Sequence, residues 1–191
     1  MNMGTKTIIG LVALLLIAGV FVMGLASVAM NKNNVYGKWL EVRNQYKRQA
    51  DLIPNLVTTT YSYLNYEHQT LLDVVEARAK ALNTALATGN IESIDTAGQQ
   101  VNPYIGQILV VFESYPELKA SNVVLELMAE LAGTQNRISV ARMRYNNAVV
   151  GYNNLLVVVF WARLLGYNNM QGLEFTETPE APPTVPEWTP P

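Results

Sequence analysis

Hydrophobic positions along the chain follow three successive patterns. Residues 8–30, IIGLVALLLIAGVFVMGLASVAM, hold no charge. As a helix rising 1.5 Å per residue this run reaches about 35 Å, enough for a hydrocarbon core of about 30 Å with some tilt. Lys6 precedes the run and Ser27-Val28-Ala29 resembles a cleavage site, so a secretory leader is the alternative. A leader's apolar region is normally about 7–15 residues, and the greater length here favours a retained membrane helix over 8–30, after a short N-terminus at 1–7.

From Val35 onward the pattern changes to one face in 3.6. Steps of three and four pass through Val35, Trp39, Val42, Tyr46, Gln49, Ile53, Val57, Thr60, Leu64, His68, Leu71, Val75, Arg78, Leu82 and Leu86, mostly apolar. This predicts one long amphipathic helix over 35–86. The stripe keeps its phase through Pro54, which predicts a kinked helix; a fresh helix capped by Asp51, with Pro54 in its first turn, is the rival. Residues 87–101, with Gly89, Asn90 and Gly98, read as a turn region. Asn102-Pro103 then reads as the start of a short helix running to Ser114 and closed by Tyr115-Pro116.

The third pattern repeats in sevens. Val124, Leu131, Ile138, Tyr145, Tyr152 and Val159 form one track, and Leu127, Thr134, Ala141, Ala148 and Leu155 its companion. A strict heptad implies left-handed winding against a partner helix, in the same chain or a second one. Ser121 is the expected cap. The segment ends in LLVVVFWARLL, residues 155–165, where Arg163 is the lone charge. A helix apolar on every side must be buried on every side, and this one is too short to span a bilayer. Counting one helix out, one back and one out again puts this end far from the membrane. There Val157, Phe160, Trp161 and Leu164 are the expected contact between subunits of a homo-oligomer. The competing accounts are that the 87–101 loop folds over them, or that the segment dips into the membrane if the counting fails.

Composition adds limits. Charged residues make up 15% of the chain and the net charge is −2, with a pI near 5.4, which argues against a nucleic-acid partner. Lys32, Lys38, Arg43, Lys47 and Arg48 follow the apolar run, so the positive-inside rule places the helical bundle in the cytoplasm, the extracytoplasmic side remaining open. There is no cysteine, which excludes disulfides and thiolate metal sites. Residues 168–191 turn proline-rich and acidic, the composition of a disordered tail able to dock a partner protein.

Candidate chemistry is sparse. His68, the single histidine, falls on the apolar stripe next to Glu67 and reads as a buried, hydrogen-bonded side chain. A di-iron bundle needs glutamates on facing helices and two Glu-x-x-His motifs, which are absent, and a zinc site lacks ligands. No phosphate loop, nucleophile elbow or dinucleotide fingerprint occurs. Glu126 and Glu130 read as a solvated face. Arg137, Arg142 and Arg144 read as partners for Glu67, Asp73 or Glu76. No catalytic, cofactor or metal site is expected, and the chain does not read as an enzyme.

The stretches QYKRQADLIPNLV, YEHQTLLDVVEAR, YPELKAS, LAGTQNRISVARMRYNNAVVGYNN and LLGY resemble the conserved blocks of the LemA family. The resemblance implies a bacterial cell-membrane protein with one membrane helix and a bundle of long helices, here 31–167. The family includes a magnetosome protein, which suggests membrane organisation and no established enzymatic activity. The family-like positions include Arg48, Asp51, Pro54, Asn55, Glu67, Arg78, Tyr115, Pro116, Arg142, Tyr145, Asn146, Tyr152 and Asn153. Gln135 stands where members often carry an acid. The absence of a proline in LLVVVFWARLLGY predicts a longer last helix.

The expectation is therefore an all-α fold in which a single transmembrane helix leads into an elongated antiparallel bundle. The expected function is a self-associating, non-enzymatic scaffold that organises membrane or partner proteins. A signalling or protease-adaptor module is the alternative.

Overall fold

The computed structural model describes residues 3–174; the side chains of Met3, Thr5 and Glu67 are outside that description. The described residues are helical and contain no strand. The order is α1 (Met3–Thr60), a 3-10 turn at Tyr61–Tyr63, α2 (Tyr66–Thr88), α3 (Ile91–Glu113), α4 (Pro116–Lys119), α5 (Asn122–Val158) and a second 3-10 turn at Phe160–Leu165. The all-α expectation holds. The chain divides into two units, Met1–Lys38 with Arg144–Gly172 and Trp39–Met143 with Leu173–Pro191. Helices α1 and α5 contribute to both.

Helix α1 passes through Pro54 without interruption, so the reading in which Asp51 caps a fresh helix does not hold. The helix ends instead at Thr60. Thr58, Thr59 and Thr60 each donate a hydroxyl to the carbonyl four residues back, at 2.7–2.8 Å. Three consecutive β-branched residues bonding backward favour the end of a helix. Asn65 then starts α2, its side chain accepting from the His68 amide at 3.1 Å. Gln69 Nε2 reaches back to the carbonyls of Tyr61 and Leu64, both at 3.0 Å. The predicted single helix over 35–86 is therefore two. Its stripe is buried from Val35 to Thr60 and again at Leu64, Val75, Leu82 and Leu86, while on α2 Leu72 and Ala79 are buried in place of Leu71 and Arg78.

The region 87–101 is mostly helix rather than a turn. Gly89 takes φ 72°, the left-handed conformation that closes a helix and that glycine adopts without strain. Asn90 caps α3 by accepting from the Ser93 amide at 2.9 Å. Asn102 and Pro103 consequently lie inside α3. The buried face of α3 runs Ile94, Gly98, Val101, Ile105, Ile108, Phe112, a helical stripe masked in sequence by its glycine and by the neighbouring Asp95. Tyr115 precedes α4 and Pro116 occupies its first turn, and the Ser121 hydroxyl accepts from the Val124 amide at 3.4 Å as the start of α5.

The whole first heptad track is buried: Val124, Leu131, Ile138, Tyr145 and Tyr152 on α5, and Val159 just past its end. The companion track holds at Thr134 and Ala141, then yields to Val149 and Leu156. A straight helix drifts about 20° per heptad, which accounts for the exchange. Helix α5 stops at Val158 in a run of β-branched residues, and Gly166 at φ 87° closes the following 3-10 turn.

Candidate functional site

In the unit Met1–Lys38 with Arg144–Gly172, the core is Val28 and Val35 of α1 against Tyr145, Val149, Tyr152, Leu156, Val159 and Ala162. The Trp161 indole stacks on Phe21, ring centroids 5.6 Å apart. A Cβ on Gly24 would come within 2.9 Å of that indole, so the glycine makes room for it. Phe21 and Gly24 belong to the apolar run 8–30. The end of α5 therefore returns beside that run instead of lying far from it. The sequence count failed because the single helix counted over 35–86 is the end of α1 and the whole of α2, with a reversal between them. Of the expected subunit-contact residues, Val157, Phe160 and Leu164 are exposed and Trp161 is half-buried. Around Ala29, Lys32, Asn33, Leu165, Gly166 and Tyr167 runs a shallow cleft of about 390 Å³. Lys32 Nζ lies 5.5 Å from the centre of the Tyr167 ring.

The same unit fixes the chain after Gly166. Asn153 accepts from the Met170 amide through Oδ1 and donates to the Met170 carbonyl through Nδ2, both at 2.9 Å. Tyr145 donates its hydroxyl to the Gln171 carbonyl at 3.3 Å, and Gly172 lies against Asn146. Family-like Tyr145, Asn146 and Asn153 thus hold an extended strap. Tyr152 is buried, and desolvation, then Tyr167, pushes its phenol up. Residues 168–174 do not behave as the start of a disordered tail. The acidic, proline-rich remainder, 175–191, lies outside the described residues.

The unit Trp39–Met143 with Leu173–Pro191 holds a buried polar cluster that the sequence did not single out. Tyr46 of α1 donates to Asp95 Oδ1 at 2.8 Å. Gln99 donates to Oδ2 at 2.8 Å, and Arg142 of α5 donates to the same oxygen at 3.0 Å. Arg142 also donates to the Glu174 carbonyl. Both side chains of the ion pair are over nine-tenths buried, at 8% and 7% exposure. Burial pushes the Asp95 carboxyl above its usual range against the opposing pull of Arg142, Tyr46 and Gln99. Burial and then the Asp95 charge push the Tyr46 phenol up. Next to it Gln49 donates to Asn102 Oδ1 at 2.9 Å, and Gln135 to the Asn102 carbonyl at 3.4 Å. Arg142 was expected to pair with Glu67, Asp73 or Glu76; its acid is Asp95.

A second network lies at the surface. Glu130, expected to be merely solvated, accepts from Arg48 at 2.7 Å and from Arg137, and these two hydrogen-bonding arginines, Arg48 first, hold its carboxyl below the usual range. Asp51 and Asn55 are exposed near Pro54. Arg78 donates to Gln100 at 3.0 Å and stands 6.0 Å from the Tyr104 ring. Tyr115 meets His68 Nδ1 at 2.8 Å, so the single histidine is hydrogen-bonded as expected but only half-buried. Glu67 lies on α2. Among the described residues no group of acids and histidine converges as a metal site.

The family model described as LemA family matches residues 38–186. Protein LemA of Metamycoplasma hominis is 26% identical over 116 residues, which is 60% of this chain and 51% of that protein. The chain thus spans about half the length of this relative. With the match covering most of the sequence, the chain belongs to the LemA family.

Proposed function

We propose that the protein is a non-enzymatic, membrane-anchored helical scaffold of the bacterial cell membrane that self-associates and organises membrane or partner proteins. The observation that carries the reading is that the apolar run is part of a folded unit. Helix α1 continues from the run into the core without a break, and Val28, at the foot of the run, is fully buried. Cleavage after Ala29 would cut through this helix and strip Phe21 and Gly24 from Trp161. A retained anchor keeps these contacts. The lysines and arginines after the run favour a cytoplasmic bundle. A structural role is supported by the polar groups themselves: Asp95, Arg142 and Tyr46 bond one another, and His68 is bonded to Tyr115.

Intact-mass measurement should find Met1–Met30 retained, and the protein should stay with membranes through carbonate washing. Loss of the first residues would overturn the anchor. Self-association should appear as a species larger than one chain on sedimentation in detergent. The adaptor reading draws support from Arg142, which ties down the chain at Glu174 where the acidic segment begins. Deleting 175–191 separates the two: a scaffold still assembles, whereas an adaptor loses its partner.

A further inference from the structure

We propose that the 3-10 turn at Phe160–Leu165, with Val157 and Val158 before it, is a second membrane contact that enters the bilayer interface beside α1. The inference rests on the anchor reading. Its starting point is depth. Trp161 stacks on Phe21 and abuts Gly24, which precede Met30 by nine and six residues, about 9–14 Å along the helix axis. A bilayer that covers the run 8–30 therefore also reaches the level of Trp161. At that level the turn presents apolar side chains outward. Val157 is 69% exposed, Phe160 66% and Leu164 87%, while Val159 and Ala162 point into the unit and are buried.

The polar groups sort by the same depth. Lys32 and Asn33 follow the apolar run on α1 and line the cleft with Gly166 and Tyr167. Lys32 faces the Tyr167 ring, and Arg163 donates to Asn169 at 3.3 Å. An apolar body with indole and phenyl rings, flanked by a phenol and cations, is the composition of an element seated at the headgroup boundary. Residues 157–165 are far too short to cross. The backbone is in the form such a position tolerates, because Val159–Gly166 closes its own hydrogen bonds: Ala162 to Val159 at 3.0 Å, Gly166 to Arg163 at 3.1 Å and Tyr167 to Ala162 at 3.3 Å. The occupant of the exposed face is thus lipid, since the face continues the bare surface of α1 at the same level. A second copy of the chain would have to displace lipid from both.

The chain has no cysteine, so single labels carry no background. Leu164→Cys, Leu14→Cys and Val123→Cys, all exposed in the structure, would each be labelled with the NBD fluorophore. The full chain would be reconstituted in vesicles of phosphatidylcholine and phosphatidylglycerol. The Leu164 label should lose most of its emission to a lipid carrying a nitroxide near its headgroup and resist aqueous iodide. The Val123 label should do the reverse. Iodide quenching at Leu164 equal to that at Val123 would overturn the proposal. So would a Leu164 label shielded from both quenchers, which would mean that protein covers it. The Leu14 label reports the anchor: if it escapes the nitroxide, the anchor reading fails and this inference fails with it. If only Leu164 escapes, the anchor stands alone.

Discussion

The ring of Tyr46 on α1 occupies the space that a side chain on Gly98 of α3 would need. A Cβ built on Gly98 would fall within 2.7 Å of three ring carbons, closer than real Cβ atoms approach. Tyr46 is fully buried and its hydroxyl is committed to Asp95, so the ring cannot step aside without breaking that bond. Gly98→Ala should destabilise the fold by about 1–3 kcal/mol or more, through overpacking. Gly106, on the same helix, meets nothing within 4 Å. There the gain in helix propensity acts alone, and Gly106→Ala should stabilise by up to about 1 kcal/mol. Thermal melts of the two variants in detergent should move in opposite directions.

The Asp95–Arg142 pair gives a second test. Removing one partner of a buried pair leaves an uncompensated charge and costs about 3–5 kcal/mol, whereas removing both is often near neutral. The raised carboxyl of Asp95 shows that its desolvation outweighs the favourable neighbours. Asp95→Asn should therefore lower stability sharply, and adding Arg142→Met should recover much of the loss. A double variant no more stable than the single one would refute this account of the cluster.

Alkaline pH reads Tyr46 directly. Its phenol is raised in the folded state, so the group binds its proton more tightly folded than unfolded. The stability it contributes is fully present below the ordinary tyrosine value of about 10. It is lost as pH rises through the folded value, because the unfolded chain ionises first. Each such group can contribute a slope of up to about 1.4 kcal/mol per pH unit in that window. Tyr46→Phe should be less stable near neutrality, having lost a bond to a carboxylate, and should fall less steeply above pH about 10. Tyr152, also raised, should leave a residual slope. Equal slopes for wild type and variant would show that Tyr46 does not carry the effect.

Asn153 tests the strap. Its amide makes both hydrogen bonds to the Met170 backbone, and a typical intramolecular bond contributes about 1 kcal/mol net. Asn153→Ala should loosen the segment by roughly 2 kcal/mol and speed chymotryptic cleavage at Tyr167, with α-helix content unchanged. Asn153→Asp, which keeps the acceptor for the Met170 amide and loses the donor, should fall between. If cleavage at Tyr167 is unaffected, the strap is held elsewhere.

Periodicity revealed most of the fold because burial dominated it: the stripe from Val35 to Val57 and the track from Val124 to Val159 are buried as their spacing predicts. The failures have local causes. The stripe seemed to run past Thr60 because Leu64 kept the phase, whereas the threonine hydroxyls and the Asn65 cap decided the break. Residues 91–101 looked like a loop because α3 turns Gly98 and Asp95 inward, where Tyr46 and Arg142 give them a use that no single-helix pattern displays. Joining α1 and α2 into one helix removed one reversal from the count and sent residues 157–165 to the wrong end. The polar cluster was half legible. Tyr46 was placed on the stripe and Arg142 on a family-like position, but their meeting point, Asp95, has no local signal. The strap was invisible for the same reason: Asn153 and Tyr145 bond backbone groups whose positions sequence does not encode locally.

Pro54 supplies the last test. Helix α1 runs unbroken across it, so the carbonyl of Ala50 has no amide donor at position 54, and the proline ring crowds that turn. Ala50 itself is fully buried, which makes water a poor substitute for the missing bond. Pro54→Ala restores the donor without changing the face that carries Ile53, Leu56 and Val57, all buried. The interior penalty of proline relative to alanine is about 3 kcal/mol. Against this, the unfolded chain regains freedom worth up to about 1 kcal/mol. The variant should therefore melt higher than wild type with helicity unchanged. A lower melting temperature would show that the proline helps to place Leu56 and Val57 in the core, and that restoring the helical bond withdraws them.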